Sequence, residues 1–499
     1  MLNILPGALF LAACYSRGTA AHKINVKAPE HLPPGASQPE TKAIRILSPK
    51  TSSTFYTRRP ARTPIFGDRA IYNASQAESI VLSTESDNGI PLEVSLGPVF
   101  FEGFENFPGT PWTFQVNLAN NKSNALENAL AEAKVALSHI RGDLYAFEIG
   151  NEPDLYPGDV RPLDYTVADY VKQWRTFADA ISNEVLHGNQ YGLEDWKLFQ
   201  ALTFIFYFNG FSTWVSVFSI DSIVDLTFTR AKAFENGVNA DGHVKYASGN
   251  QDWVRLQESF MNHTLIASNL TQYIDDMELI HANDPNIKFL LGETNSDYVN
   301  LNMSQVEGVF GSSLWLVDYL LYGMSLNITR FNLIQGTTFG YAGWTPVEHN
   351  GVAPQVRAPL YGQIFAADAI GRHPTVQVKA LEFQRDDLSA YAIYESGILA
   401  RYVVVNLDEW NSTTSYPRPS QKFELDVPHY LKSVEVRRLV GPGASADTGI
   451  SWGGLSWNYT DGRLGRTGKR QVEVLRVSKG TVTLDLDSTE AAIVELQHV

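Results

Sequence analysis

Between about residue 66 and residue 372 the chain alternates short apolar runs with longer stretches whose apolar residues return every three or four positions, a pattern of parallel β/α units. The predicted strands are Leu92–Gly97, Leu144–Gly150, Lys197–Phe204, Ile287–Gly292 and Arg330–Gln335. Amphipathic helices are predicted over Ala125–Ile140, Thr166–Leu186, Trp253–His281, Val309–Gly323 and Pro359–Ile370. After Pro374 the pattern shortens to alternating runs such as Leu388–Tyr394, Ala400–Asn406 and Thr481–Leu486, separated by Gly and Pro, which predicts a β-sandwich. Residues 21–64 follow neither period and carry eight Lys or Arg against two Glu, with several prolines. The expected organisation is a leader over 1–20, an unfolded segment over 21–65, a barrel-like domain over 66–372 and a C-terminal sandwich over 373–499.

Composition narrows the possible functions. A chain of 499 residues with 44% hydrophobic content can bury more than one core. Its net charge of -15 argues against non-specific nucleic-acid binding, which needs clustered Lys and Arg. Residues 4–13 are apolar over a length that suits a signal-peptide core and is too short to span a bilayer, with Gly18-Thr19-Ala20 as a cleavage site. Residues 201–224 are apolar overall but are interrupted by Asn209, Gly210, Ser212 and Asp221, so no membrane span is read there. Sequons begin at Asn73, Asn121, Asn262, Asn269, Asn302, Asn327, Asn411 and Asn458, which points to a secreted, extracellular glycoprotein. The single cysteine, Cys14, lies in the leader, so the mature chain is expected to have no disulfide.

Two carboxyl groups carry the candidate chemistry. Glu152 follows the apolar run Leu144–Ile149 in Gly150-Asn-Glu-Pro-Asp154, where Gly150 and Pro153 end a strand. Glu293 follows Ile287–Leu291 in Gly292-Glu-Thr-Asn-Ser296. A lone Gly-Glu after an apolar run is more often a turn carboxylate; a pair of them meets the requirement of glycoside hydrolysis. The charge of Glu293 is expected to raise the pKa of Glu152, which must begin protonated. Glu148 reads as a pocket or structural residue. His263, His281 and His349 have no metal-ligand spacing and read as structural, and no metal or cofactor is expected.

With these motifs in place, the chain resembles fungal β-glucuronidases of glycoside hydrolase family 79, which also contains heparanase. The resemblance is carried by Ser95-Leu-Gly-Pro98, Asn106-Phe-Pro-Gly-Thr110, Gly150–Asp154, Met261-Asn-His-Thr264, Gly292–Ser296, Gln335-Gly-Thr337 and Tyr341-Ala-Gly-Trp344. It implies a (β/α)8 barrel followed by a β-sandwich, with the acid/base after strand 4 and the nucleophile after strand 7. Carried over, Glu152 is the acid/base and Glu293 the nucleophile, while Asn151 binds the sugar 2-hydroxyl. Tyr298 meets the glucuronate carboxylate, Gln335 lines the pocket, and Tyr246 stands in for a tyrosine at the end of strand 6. The expected partner is a glucuronide or another uronic-acid-containing saccharide, bound by a monomer.

The chain also departs from the family. Of the turn that opens the family's second β/α unit, only Asp68-Arg-Ala-Ile-Tyr72 is recognisable, and 21–64 reads as the product of a wrong gene model. Residues 215–230 interrupt an expected link and read as a translated intron, since Val215-Ser216 can be encoded by a fungal splice-donor sequence. A barrel without strands 1 and 2 would expose two edges, and the chain as written would then be inactive. The alternatives to a retaining exo-glucuronidase are an endo-acting, heparanase-like glycosidase and a catalytically dead carbohydrate-binding relative.

Overall fold

The computed structural model describes residues 23–32, 66–83, 86–87, 90–193, 198–204, 238–243, 256–283, 287–296, 304–335, 339–345, 348, 351–460 and 463–496, with 201–204 and 238–243 described as backbone. Six parallel strands form one sheet in chain order: Trp112–Val116, Leu144–Ile149, Phe199–Phe204, Val238–His243, Phe289–Asn295 and Phe331–Leu333. Among the described residues, the helices Ala125–Ile140, Val167–Ile181, His263–Thr271, Ile274–Asn283 and Phe310–Ser325 lie in the links between these strands. Among the described residues the first and last of these strands each pair on one side alone.

Two of the six were not among the predicted strands, and one predicted strand lies elsewhere. Val94–Leu96, inside the predicted Leu92–Gly97, pairs with Ala70–Tyr72 and Ile80–Leu82 in a separate three-stranded sheet. Trp112–Val116 takes the barrel position instead, burying Trp112, Phe114 and Val116 on alternate residues. The long predicted helix Trp253–His281 is broken into a turn at Leu256–Glu258 and helices His263–Thr271 and Ile274–Asn283, because Asn262 caps a new start by accepting the Leu265 N–H at 3.0 Å.

Local sequence explains the helices that flank the sheet. Ala125–Ile140 buries Ala129, Leu130, Ala133, Ala136, Leu137 and Ile140, a stripe at helical spacing. Val167–Ile181 starts at a capping box in which Thr166 and Asp169 satisfy each other's backbone N–H groups. Phe310–Ser325 is buried almost all round because it lies between the barrel and the sandwich. Gly362 lets Pro359–Ile370 approach it, since a Cβ there would come within 2.4 Å of the Ser313 carbonyl oxygen.

The sandwich packs a nine-stranded sheet on a three-stranded one around Tyr402, Val404, Phe423, Leu425, Val482, Leu484 and Val494. One strand of the smaller sheet corrects the expected unfolded segment: Ile24–Val26 pairs parallel with Phe423–Leu425, and Val26 is buried in the core. The rest of the segment, 33–65, lies outside the described residues, as do the leader, Cys14 and residues 215–230. No helix among the described residues is long and apolar enough to cross a membrane.

Candidate active site

Glu152 stands three residues beyond the end of its strand. Gly150 turns the chain at φ 83°, and Glu152 itself sits in the left-handed region at φ 42°, ψ 51°, an uncommon conformation for a residue with a side chain. The residue is 2% exposed. Burial pushes its carboxyl up to about 8, so it holds a proton at neutral pH. The expected rise is present, and burial is its first cause.

Glu293 is placed differently from the expectation. It lies inside the strand Phe289–Asn295 and not beyond its end, because that strand carries a bulge. On the neighbouring strand Ala240 pairs with Leu291 and the next residue, Asp241, pairs with Glu293, so Gly292 is the extra residue. A bulge re-aims the side chain that follows it, and Glu293 is half-buried where Leu291 is fully buried. The strand is fixed just after it. The Thr294 hydroxyl lies 2.7 Å from the Tyr319 hydroxyl, and Asn295 Nδ2 donates to the Ile334 carbonyl at 2.9 Å. Glu152 and Glu293 thus sit at the same, C-terminal end of strands of one parallel sheet, where catalytic groups of such barrels collect.

Asn151 is buried, and its Nδ2 has no hydrogen-bond acceptor among the described residues, the state expected of a group that serves a substrate oxygen. Gln335 is buried too, and its Oε1 accepts the Gly343 N–H at 2.8 Å, so part of its amide closes a loop. Tyr246 and Tyr298 lie outside the described residues. Glu148 accepts from Gln200 Nε2 at 3.1 Å, and Gln200 Oε1 accepts from Thr113, a polar chain along the sheet below the site. His263 is structural, with Nδ1 2.8 Å from Asp318 Oδ2. Among the described residues no cluster of three or more His, Cys, Asp or Glu is arranged to hold a metal ion. Of the sequons, Asn73, Asn121 and Asn458 are exposed, Asn262, Asn269, Asn327 and Asn411 are half-buried, and Asn302 is outside the described residues.

Sequence reasoning missed Tyr156 and gave Asp68 no role. The Tyr156 hydroxyl donates to Asp68 Oδ2 at 2.8 Å, and the Asn151 N–H reaches the same oxygen at 3.3 Å. Arg161 donates to the Leu118 and Ala119 carbonyls at 2.7 and 2.8 Å and lies 5.8 Å from the Tyr156 ring. No spacing rule links residues 88 positions apart.

Comparison with known proteins fits this geometry. Residues 390–493 match the glycosyl hydrolase family 79 C-terminal beta domain. A β-glucuronidase of Aspergillus niger is 32% identical over 409 residues, covering 78% of this chain and 72% of the relative. The chain belongs to glycoside hydrolase family 79. A β-glucuronidase of Neurospora crassa is 31% identical over 440 residues, covering 79% of this chain and 76% of that one. Among solved structures, a 4-O-α-L-rhamnosyl-β-D-glucuronidase of Fusarium oxysporum superposes with a TM-score of 0.69 at 24% identity, covering 86% of each chain. A family 51 arabinofuranosidase of Xanthomonas axonopodis superposes at 0.53 with 13% identity, over 87% of this chain and 85% of that one. These likenesses establish the barrel-and-sandwich fold, and the six-stranded sheet described above is the family 79 chain's part of that barrel.

Proposed function

We propose that this chain, an O-glycoside hydrolase that releases β-linked glucuronic acid, works by a two-glutamate double displacement. Glu152 donates its proton to the glycosidic oxygen as the bond to the anomeric carbon breaks. The Glu293 carboxylate forms an ester with that carbon. Water then attacks the ester, giving its proton to Glu152, and Glu293 leaves as a carboxylate. The observation that carries this reading is the unequal burial of the two carboxyls at one end of the sheet: the deeper one is held protonated near neutrality, as an acid must be. Asn151 serves the 2-hydroxyl with its buried Nδ2.

Proton NMR of the first product formed from p-nitrophenyl β-glucuronide tests the stereochemistry. The β-anomer is expected first; the α-anomer first, or turnover surviving Glu293→Ala, overturns the reading.

Exo action on a terminal glucuronate is part of the same proposal, supported by the acidic balance of the chain, which disfavours a long polyanion along an open cleft. Free glucuronic acid as the first product from an oligosaccharide supports it, and internal fragments refute it. Secretion as a monomeric glycoprotein is proposed from the apolar leader and the sequons. Its check is recovery of glycosylated, monomeric protein with a trimmed N-terminus from culture medium.

A further inference from the structure

The turn that presents Glu152 is held by a piece of chain outside the six-stranded sheet. Asp68 lies in the helical turn Phe66–Arg69, just before the separate three-stranded sheet. Its Oδ2 accepts both the Tyr156 hydroxyl, at 2.8 Å, and the Asn151 N–H, at 3.3 Å; that N–H is also 3.3 Å from the Tyr156 oxygen. All three residues are buried. A Cβ at Gly150 would come within 2.9 Å of both the Tyr156 hydroxyl and the Leu118 side chain, so the tyrosine packs against the turn as well as bonding to it. Glu152, next after Asn151, is then left with a backbone conformation that a side-chain-bearing residue keeps only where its surroundings impose it.

We propose that Asp68 and Tyr156 are positioning residues for the reaction: their shared hydrogen bond holds the Gly150–Glu152 turn so that the Glu152 proton meets the leaving oxygen. The inference rests on the reading of Glu152 as the acid. The brace acts on one catalytic group alone, because Glu293 is positioned by its own bulged strand and by the Thr294 and Asn295 contacts.

The electrostatics of the pair agree with that geometry. Burial raises the Asp68 carboxyl to about 8, and the charge of Glu152 adds to the rise, against the lowering effect of Tyr156 and of the Asn151 and Ala119 N–H groups. An acid set beside another acid in a dry corner makes the proton on each depend on the other.

The test is the dependence of kcat/KM on the leaving group. p-Nitrophenolate departs with little help from an acid, whereas phenolate needs the proton. For Asp68→Ala and for Tyr156→Phe, kcat/KM on phenyl β-glucuronide is expected to fall about 100-fold, within the range for lost acid catalysis, while p-nitrophenyl β-glucuronide falls less than about 5-fold. Asp68→Asn keeps an acceptor oxygen at the same place and is expected to recover most of the loss. If Asp68→Ala does not fold, Tyr156→Phe, which keeps the ring, carries the test alone. Glu152→Gln serves as the reference. If it shows the leaving-group dependence and neither brace variant does, whether they slow both substrates equally or slow neither, the brace is refuted and the acid assignment stands. If Glu152→Gln itself shows no such dependence, the acid assignment fails and takes the brace with it.

Discussion

Two buried aspartates in this protein each bind a tyrosine hydroxyl, and they keep opposite electrostatic company. Asp318, on the helix Phe310–Ser325, accepts the Tyr391 hydroxyl from the sandwich and has His263 Nδ1 at 2.8 Å from a second helix. Asp68 accepts the Tyr156 hydroxyl, and its titrating neighbour is the carboxyl of Glu152. Burial lowers the affinity of His263 for a proton, but the charge of Asp318 and the hydrogen bond to it outweigh that and leave its pKa raised. At the seam between the domains, then, the aspartate faces an imidazole whose affinity for a proton its charge raises. At the catalytic corner one acid faces another, and balance comes only from retained protons. The same Asp–Tyr bond thus fastens two domains in one place and braces the Glu152 turn in the other, and the difference lies in whether the third partner is a base or an acid.

The comparison breaks most visibly on activity. Glu152→Ala is expected to lower kcat/KM on phenyl β-glucuronide by about 10²- to 10⁴-fold. Its melting temperature should stay level or rise, since a buried carboxyl is removed. A large fall in melting temperature with activity intact would reverse the roles assigned to the two regions. Next in size is the seam. Asp318→Ala leaves His263 and the Tyr391 hydroxyl without their acceptor and is expected to cost about 3 kcal/mol of unfolding free energy, with kcat of the folded enzyme unchanged within about twofold. Denaturant unfolding that matches the parent would show that the seam network holds nothing together.

A smaller effect sharpens the contrast through pH. Burial raises Glu132 to about 8, as it does Asp68 and Glu152, so the folded protein keeps protons that the unfolded chain gives up above its ordinary carboxylate range. The sign follows: the stability these groups confer is complete below about pH 4 and is lost as pH rises through about 8. His263, with its raised pKa, adds a loss in the same direction as pH climbs above 6.5. Glu132 lies on the buried face of the helix Ala125–Ile140, and its Oε2 has no hydrogen-bond partner among the described residues. Glu132→Gln should therefore stabilise by about 1 kcal/mol at pH 8 and by little at pH 5, measured by calorimetry at the two values. Equal effects at both pH values would show that this glutamate is ionised in the fold.

What could be read from the sequence follows from how local the determining interactions are. Ala125–Ile140 and Pro359–Ile370 have the predicted bounds because the signals are local: an apolar stripe at helical spacing in the first, and Pro359 at the start and Gly371 just past the end of the second. Glu152 and Asn151 were legible because Gly150 and Pro153 announce a broken strand. Val238–His243, with the sequence Val-Asn-Ala-Asp-Gly-His, offers no apolar alternation and becomes a strand through its two parallel neighbours. The sequence reading ends the strand at Gly292, whereas a glycine inside a strand often marks a bulge, and its consequence for Glu293 depends on the register of the neighbouring strand. The Asp68–Tyr156 bond spans 88 positions and has no local signature at all.

The strand at Ile24–Val26 bears on how the molecule is assembled in time. It joins the sandwich next to Ser420–Asp426, and Lys23 is hydrogen-bonded to Glu424 across 401 positions. The barrel is therefore an insertion within the sandwich, whose first strand leaves the ribosome long before its partners exist. At about 5 to 20 residues per second of synthesis, that strand waits tens of seconds for its place. A nascent chain carrying so distant a pairing has to fold its middle first, with both flanks unpaired until the last hundred residues emerge. Deleting residues 23–32 would for this reason impair a late step of maturation, leaving a barrel that forms on schedule beside a sandwich that closes slowly.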